Sequence, residues 1–139
     1  MESLPEAHPQ EDIYEGGCAC GALRFRAQGV PKRVGLCHCM TCRRIHGSAF
    51  GSYAIYEHDD VEWSGATQAW LSSELGRRHF CPVCGSVAYM EYGDRSEIDM
   101  PLGAFDQTGI FEPTYELYCC RKEPWLPRGV RTEFDMDRD

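Results

Sequence analysis

The sequence predicts a mainly β protein with little helix, built as one domain. Short runs rich in aromatic and β-branched residues recur along the chain, separated by Gly, Asp or Ser. Only one stretch reads as helical, and the clustered cysteines fall between the runs, where turns belong. A chain of 139 residues has the size of one ordinary domain and can bury a real core.

Residues 1–14 are polar, carry two prolines and read as a disordered segment. ALRFRA (22–27) alternates, with Leu23, Phe25 and Ala27 on one face and Arg24 and Arg26 on the other. MTCRRIHG (40–47) is the candidate helical turn, ended by Gly47. AFGSYAIY (49–56), VEW (61–63), QAWLSS (68–73), VAYMEY (87–92), EIDMPL (97–102) and ELYCC (116–120) read as further strands. Residues 128–139 are charged and read as a frayed tail, which leaves 15–127 as the folded domain.

Nine cysteines are far above background for such a length. The N-terminus is acidic and has no apolar run, so it does not read as a secretory signal. No stretch approaches the roughly 20 apolar residues of a membrane span. These features predict a cytoplasmic protein, in which clustered cysteines ligate metal or catalyse rather than form disulfides. The formal charge of −8 argues against a nucleic-acid partner. Four thiolates with Zn²⁺ add −2 and three add −1, bringing that charge to about −11.

FCPVCGS (80–86) is the most specific local signal. Cys81 and Cys84 converge on one metal across a tight turn, and Gly85 supplies a backbone conformation other residues resist. A redox C-x-x-C would open a helix in a βαβ setting, whereas a β-like run follows here. Cys18 and Cys20, in GGCACGALRF, leave the same face of an extended segment and make the natural partners. Pairing Cys39/Cys42 with Cys81/Cys84 instead would enclose 38 residues and strand three cysteines. The tidier partition keeps Cys37, Cys39 and Cys42 together as a three-sulfur cluster, with His38 pointing away. His46 and His79 are weaker candidates for a fourth ligand, should the fold return either one.

GGCACGALRF, CHCMTCRRIHGSAF, RRHFCPVCGS, LGAFD and the late KEPW together resemble the glutathione-dependent formaldehyde-activating enzyme family, whose domain also occurs in centromere protein V. The matching pieces span roughly residues 16 to 126. The resemblance implies a β-tent fold of twisted antiparallel sheets with short helical turns. It implies a structural zinc on Cys18, Cys20, Cys81 and Cys84, and a second zinc on Cys37, Cys39 and Cys42 with one position open. It also implies glutathione as co-substrate and a carbon–sulfur lyase reaction that forms or breaks S-hydroxymethylglutathione. Many family members carry a histidine where Glu116 aligns, and Cys119 and Cys120 are extra to the pattern; adjacent buried cysteines on a strand are the expectation for that pair.

Glutathione carries two carboxylates, and Arg43 and Arg44 follow the last cluster cysteine, so a guanidinium fork there could bind one. Equally, both could offset local thiolate charge or face solvent. Phe50, Tyr53 and Trp125 could wall a pocket, although aromatics at strand spacing are more often core. The alternative function is a non-enzymatic zinc module for protein interaction or metal and thiol binding, with His38, His46 or His79 closing the second zinc.

Overall fold

The structure, a computed structural model, describes residues 12–138. In chain order it comprises β1 (Ile13–Gly17), β2 (Arg24–Gln28), β3 (Arg33–Cys37), α1 (Met40–His46), β4 (Gly51–Glu57), β5 (Val61–Ser64), β6 (Gln68–Leu71), β7 (Gly76–Phe80), β8 (Val87–Tyr92), β9 (Glu97–Pro101), β10 (Tyr115–Leu117) and β11 (Thr132–Glu133). A small sheet has the order β1-β2-β5, and a large one runs β11-β10-β3-β4-β9-β8-β7-β6. The mainly β class is therefore as expected. Pairing is antiparallel except at one end of the large sheet, where β10 lies parallel to both β3 and β11.

Side-chain alternation divides the large sheet into two faces. Val34 of β3, Ala54 and Tyr56 of β4, and Ile98 and Met100 of β9 pack against Phe25, Ala27 and Val61 of the small sheet. Each large apolar side chain so buried contributes about 1.5–3 kcal/mol. The intervening residues Gly35, Tyr53, Ile55 and Asp99 face the other way, into a cavity. One face is thus core and the other is the site.

The helix forms where the sequence places it. Cys39 caps its start by accepting the Cys42 N–H on Sγ, and Gly47 ends it in the left-handed conformation at φ 59°. ELYCC does not form the expected continuous strand. Tyr118 adopts φ 54°, which ends β10 at Leu117, and Cys119–Arg121 turn into a short 3₁₀ helix. As a result Cys119 is buried while Cys120 is exposed, and all nine cysteines are free.

The charged C-terminal segment is not frayed over its described residues. Its backbone is tied to the segment around β10, with Phe134 N–H donating to Glu116 O, Tyr118 N–H to Met136 O and Cys119 N–H to Phe134 O. Its charges have partners too: Glu133 accepts from Arg128 and lies near Lys122, and Arg131 approaches Glu116. At the other end, β1 begins at Ile13, two residues inside the segment expected to be disordered; residues 1–11 of that segment lie outside the described residues.

Candidate metal centres and the adjoining cavity

Cys18 and Cys20 lie on the turn between β1 and β2, and Cys81 and Cys84 on the turn between β7 and β8. Their four sulfurs lie within 4.8 Å of one another. Cys18 Sγ is 3.6 Å from Cys20 Sγ, and Cys20 Sγ is 3.8 Å from Cys81 Sγ. The turns are prepared for this. Leu23 N–H donates to Cys18 Sγ, Gly85 N–H to Cys81 O, and Ser86 Oγ accepts the Ala19 N–H. Gly85 closes the second turn at φ 78°, where a side chain would be strained. Hydrogen bonds from Ser86 draw the Cys84 thiol down to about 5, toward the thiolate a metal needs. Four converging thiolates could hold a tetrahedral metal ion, and such an ion would clamp the small sheet to the large one.

Cys37 ends β3, Cys39 caps α1 and Cys42 lies in its first turn, so three sulfurs also converge within 4.8 Å. In the metal-free cluster, S–H contacts from Cys37 and Cys42 draw Cys39 down to about 2. The reciprocal contacts and burial push Cys37 well up. The cluster opens onto a cavity of about 710 Å³ on the inner face of the large sheet, reached by Cys37, Cys39, Cys42, Tyr53, Arg78 and Tyr118 among others. Across this face Tyr53 donates its hydroxyl to Cys42 Sγ at 3.2 Å. Arg78 brings Nη1 and Nη2 to 3.7 and 3.8 Å from the same sulfur. Strands β4 and β7 are three spacings apart, about 14 Å on a flat sheet. Their long side chains nevertheless meet, Arg78 Nη1 lying 3.5 Å from Tyr53 OH beside the cluster.

The model of the glutathione-dependent formaldehyde-activating enzyme (GFA) family matches residues 13–121. The chain belongs to this family. It is 32% identical over 79 residues to an uncharacterized lyase of Schizosaccharomyces pombe, covering 57% of this chain and 58% of the relative. It is 34% identical over 89 residues to a Halomonas elongata protein assigned by name to the glutathione-dependent formaldehyde-activating enzymes, covering 56% and 55%. The chain thus spans somewhat over half the length of these curated relatives. A crystal structure of a Rhodobacter sphaeroides protein shares the fold, with TM-score 0.57 and 20% identity over 70% of this chain and 90% of that one.

Against the GFA pattern, the three histidines weighed as fourth ligands all have other partners. His38 is buried, and its Nε2 faces Glu116 Oε1 at 2.8 Å, away from the sulfurs. His46 Nε2 pairs with Tyr53 OH at 2.7 Å. His79 lies between Thr67 and Glu91 and stacks on Tyr89. Glu116 also takes Lys122 Nζ at 3.0 Å. His38, Glu116 and Cys119 have metal-like spacing, but the Lys122 ammonium already supplies a cation to that carboxylate.

The arginines proposed from sequence do not reach the cavity. Arg43 is held by Glu123 Oε1 at 2.7 Å and donates to Ala49 O, while Arg44 is exposed, and neither lines the cavity. Arg33, Arg78, Arg95 and Arg138 line it instead. Of the three aromatics, Tyr53 is both buried and on the cavity wall, Phe50 packs beside the His38 ring, and Trp125 is exposed and clear of the cavity. Sequence reasoning missed Arg78, although it sits inside the family-like piece RRHFCPVCGS. A charged residue in a strand is read as solvent-facing, and nothing local marks this one as buried.

Proposed function

We propose that the chain is a cytoplasmic, zinc-dependent carbon–sulfur lyase that makes or breaks S-hydroxymethylglutathione, the adduct of glutathione with formaldehyde. The observation that carries this reading is the three-cysteine cluster, open to a cavity and without a fourth protein ligand among the described residues. Three protein ligands with one open position is the pattern of a catalytic zinc, whereas the four-cysteine group has the closed pattern of a structural one. Bound there, zinc would favour the thiolate form of a substrate thiol near neutral pH. In the forward direction the thiol proton leaves to water, sulfur attacks the carbonyl carbon, and the former carbonyl oxygen takes a proton from water. The reverse breaks the same carbon–sulfur bond.

The chain's own residues hold this geometry. Cys42 is fixed by Tyr53 and Arg78, Cys39 by the helix cap it forms, and Cys37 by the end of β3. Arg138, on the cavity wall over the Tyr115 ring and with no carboxylate partner among the described residues, is the candidate for a glutathione carboxylate in place of Arg43 and Arg44. A second zinc closed by a histidine is disfavoured, because His38, His46 and His79 all have other partners.

The test is adduct formation followed by NMR with zinc-loaded protein, glutathione and formaldehyde. Acceleration over the uncatalysed reaction is expected for the wild type, with return to background in Cys42→Ala. Equal rates for wild type, Cys42→Ala and buffer would sink the proposal.

A further inference from the structure

We infer that Arg78 is the built-in counter-charge of the three-cysteine site and makes it select an anionic fourth ligand, a thiolate above all, over a neutral one. This rests on the reading above, that the cluster holds zinc with a position open to the cavity.

Arg78 is only 7% exposed, yet among the described residues no carboxylate lies within ion-pair distance of it. Two of the other cavity arginines are already paired with carboxylates, and the third lies over a ring. Arg33 is paired with Glu97, Arg95 with Glu97 and Asp99, and Arg138 lies over the Tyr115 ring. Both terminal nitrogens of Arg78 instead approach Cys42 Sγ, and its buried Nε has no partner. An unpaired buried guanidinium would be strongly destabilising, so the thiolates are what offset its charge. The four-cysteine group differs in degree: among the described residues its sulfurs accept from backbone N–H groups such as Leu23 and meet Ser86, and the nearby Arg24 is paired with Asp106 rather than hydrogen-bonded to sulfur.

Three thiolates on a divalent ion total −1. A fourth thiolate raises this to −2 inside a cavity partly walled by Leu117, Met90 and Tyr53, where added negative charge is poorly solvated. A guanidinium a few ångströms away offsets that charge, by well over tenfold in affinity at an effective dielectric of about 20. A neutral donor adds no charge and gains little from it. The charged hydrogen bonds to Cys42 also fix the guanidinium, as outer groups commonly do around metal ligands. Arg78 is thus a positioning and selectivity residue, acting through charge.

Cobalt(II)-substituted protein supplies a readout apart from turnover, because sulfur-to-cobalt absorption rises as each thiolate binds. Wild type, Arg78→Gln and Arg78→Lys would be titrated with 2-mercaptoethanol, which has no carboxylate, and separately with imidazole, with cobalt per chain measured in each. Arg78→Gln should bind the thiol at least tenfold more weakly with imidazole affinity within about twofold of wild type, and Arg78→Lys should stay within about threefold for both. Unchanged thiol affinity in Arg78→Gln, or equal loss of both ligands, overturns the inference. If Arg78→Gln fails to keep its second cobalt, wild type and Arg78→Lys decide it. Both should then prefer the thiol over imidazole by at least tenfold, and preference for imidazole in either overturns it. A wild type that binds neither ligand refutes the open position itself, a failure distinct from loss of selectivity.

Discussion

Replacing Glu116 with Gln should be among the most damaging single changes outside the cysteines. The carboxylate is 1% exposed and serves His38 Nε2 at 2.8 Å and Lys122 Nζ at 3.0 Å. Burial opposes its charge, but these partners outweigh that and hold its pKa below the ordinary glutamate value. Breaking one side of a buried pair costs about 3–5 kcal/mol, because the remaining charge is stranded. Lys122 keeps Pro127 O at 2.7 Å and Glu133 at 3.6 Å, which argues for the lower end, about 3 kcal/mol. For a domain of this size that lowers Tm by roughly 10 °C. The assay is urea and thermal unfolding of zinc-loaded protein at fixed free zinc, with the denaturant slope required to stay constant. Adding Lys122→Met to Glu116→Gln removes the stranded ammonium and should restore at least about 1 kcal/mol. A loss under about 1 kcal/mol for the single variant, or a further loss in the double one, would refute the reasoning.

The two cysteine groups should respond differently to removal. Cys84→Ala should abolish folding, since structural zinc binding is worth about 10–16 kcal/mol, whereas Cys42→Ala should leave a folded protein with about one zinc; circular dichroism with metal counting checks both. Stability should also fall in acid. Hydrogen bonds from Arg33, with help from Lys32, hold Glu97 down at about 2 against the usual 4.5, so its stabilisation is complete above 4.5 and is lost as pH falls toward 2. Glu97→Gln should flatten the unfolding-versus-pH curve across that window, and an unchanged slope would remove Glu97 from the explanation. Deleting residues 130–139 removes the backbone bonds from Tyr118, Cys119 and Phe134, at about 1 kcal/mol each before the entropy regained. Amide exchange at residues 116–120 should then accelerate, and unaltered protection would show that β10 does not depend on the segment.

What the sequence made legible follows from the range of the interactions involved. The helix from Met40 to His46, the knuckle at Cys81–Gly85 and the alternation in Arg24–Gln28 are local features, each specified by residues within one turn of one another. The partition of the cysteines was also legible, because sulfur leaves few alternatives once spacing is considered. Strands β1, β3 and β7 were missed for a common reason. IYEGG, RVGLC and GRRHF have glycine or charge where a half-buried strand would ordinarily carry apolar residues. In β7 the departure is the buried Arg78, whose guanidinium approaches Cys42 Sγ. Arg78 alternates with an exposed Arg77, so periodicity alone gives the pair as one solvated patch. Only the folded structure, in which the Arg78 side chain reaches Cys42, shows that one of the two faces sulfur. The same limit applies to Arg43 and Arg44, which are adjacent to Cys42 in sequence but do not line the cavity. On a seven-residue helix, adjacency turns successive side chains away from one another, and Arg43 finds Glu123 instead. A charge set beside a sulfur cluster need not come from its own segment, because a folded sheet brings distant strands together. In this chain it comes from β7, 36 residues beyond Cys42.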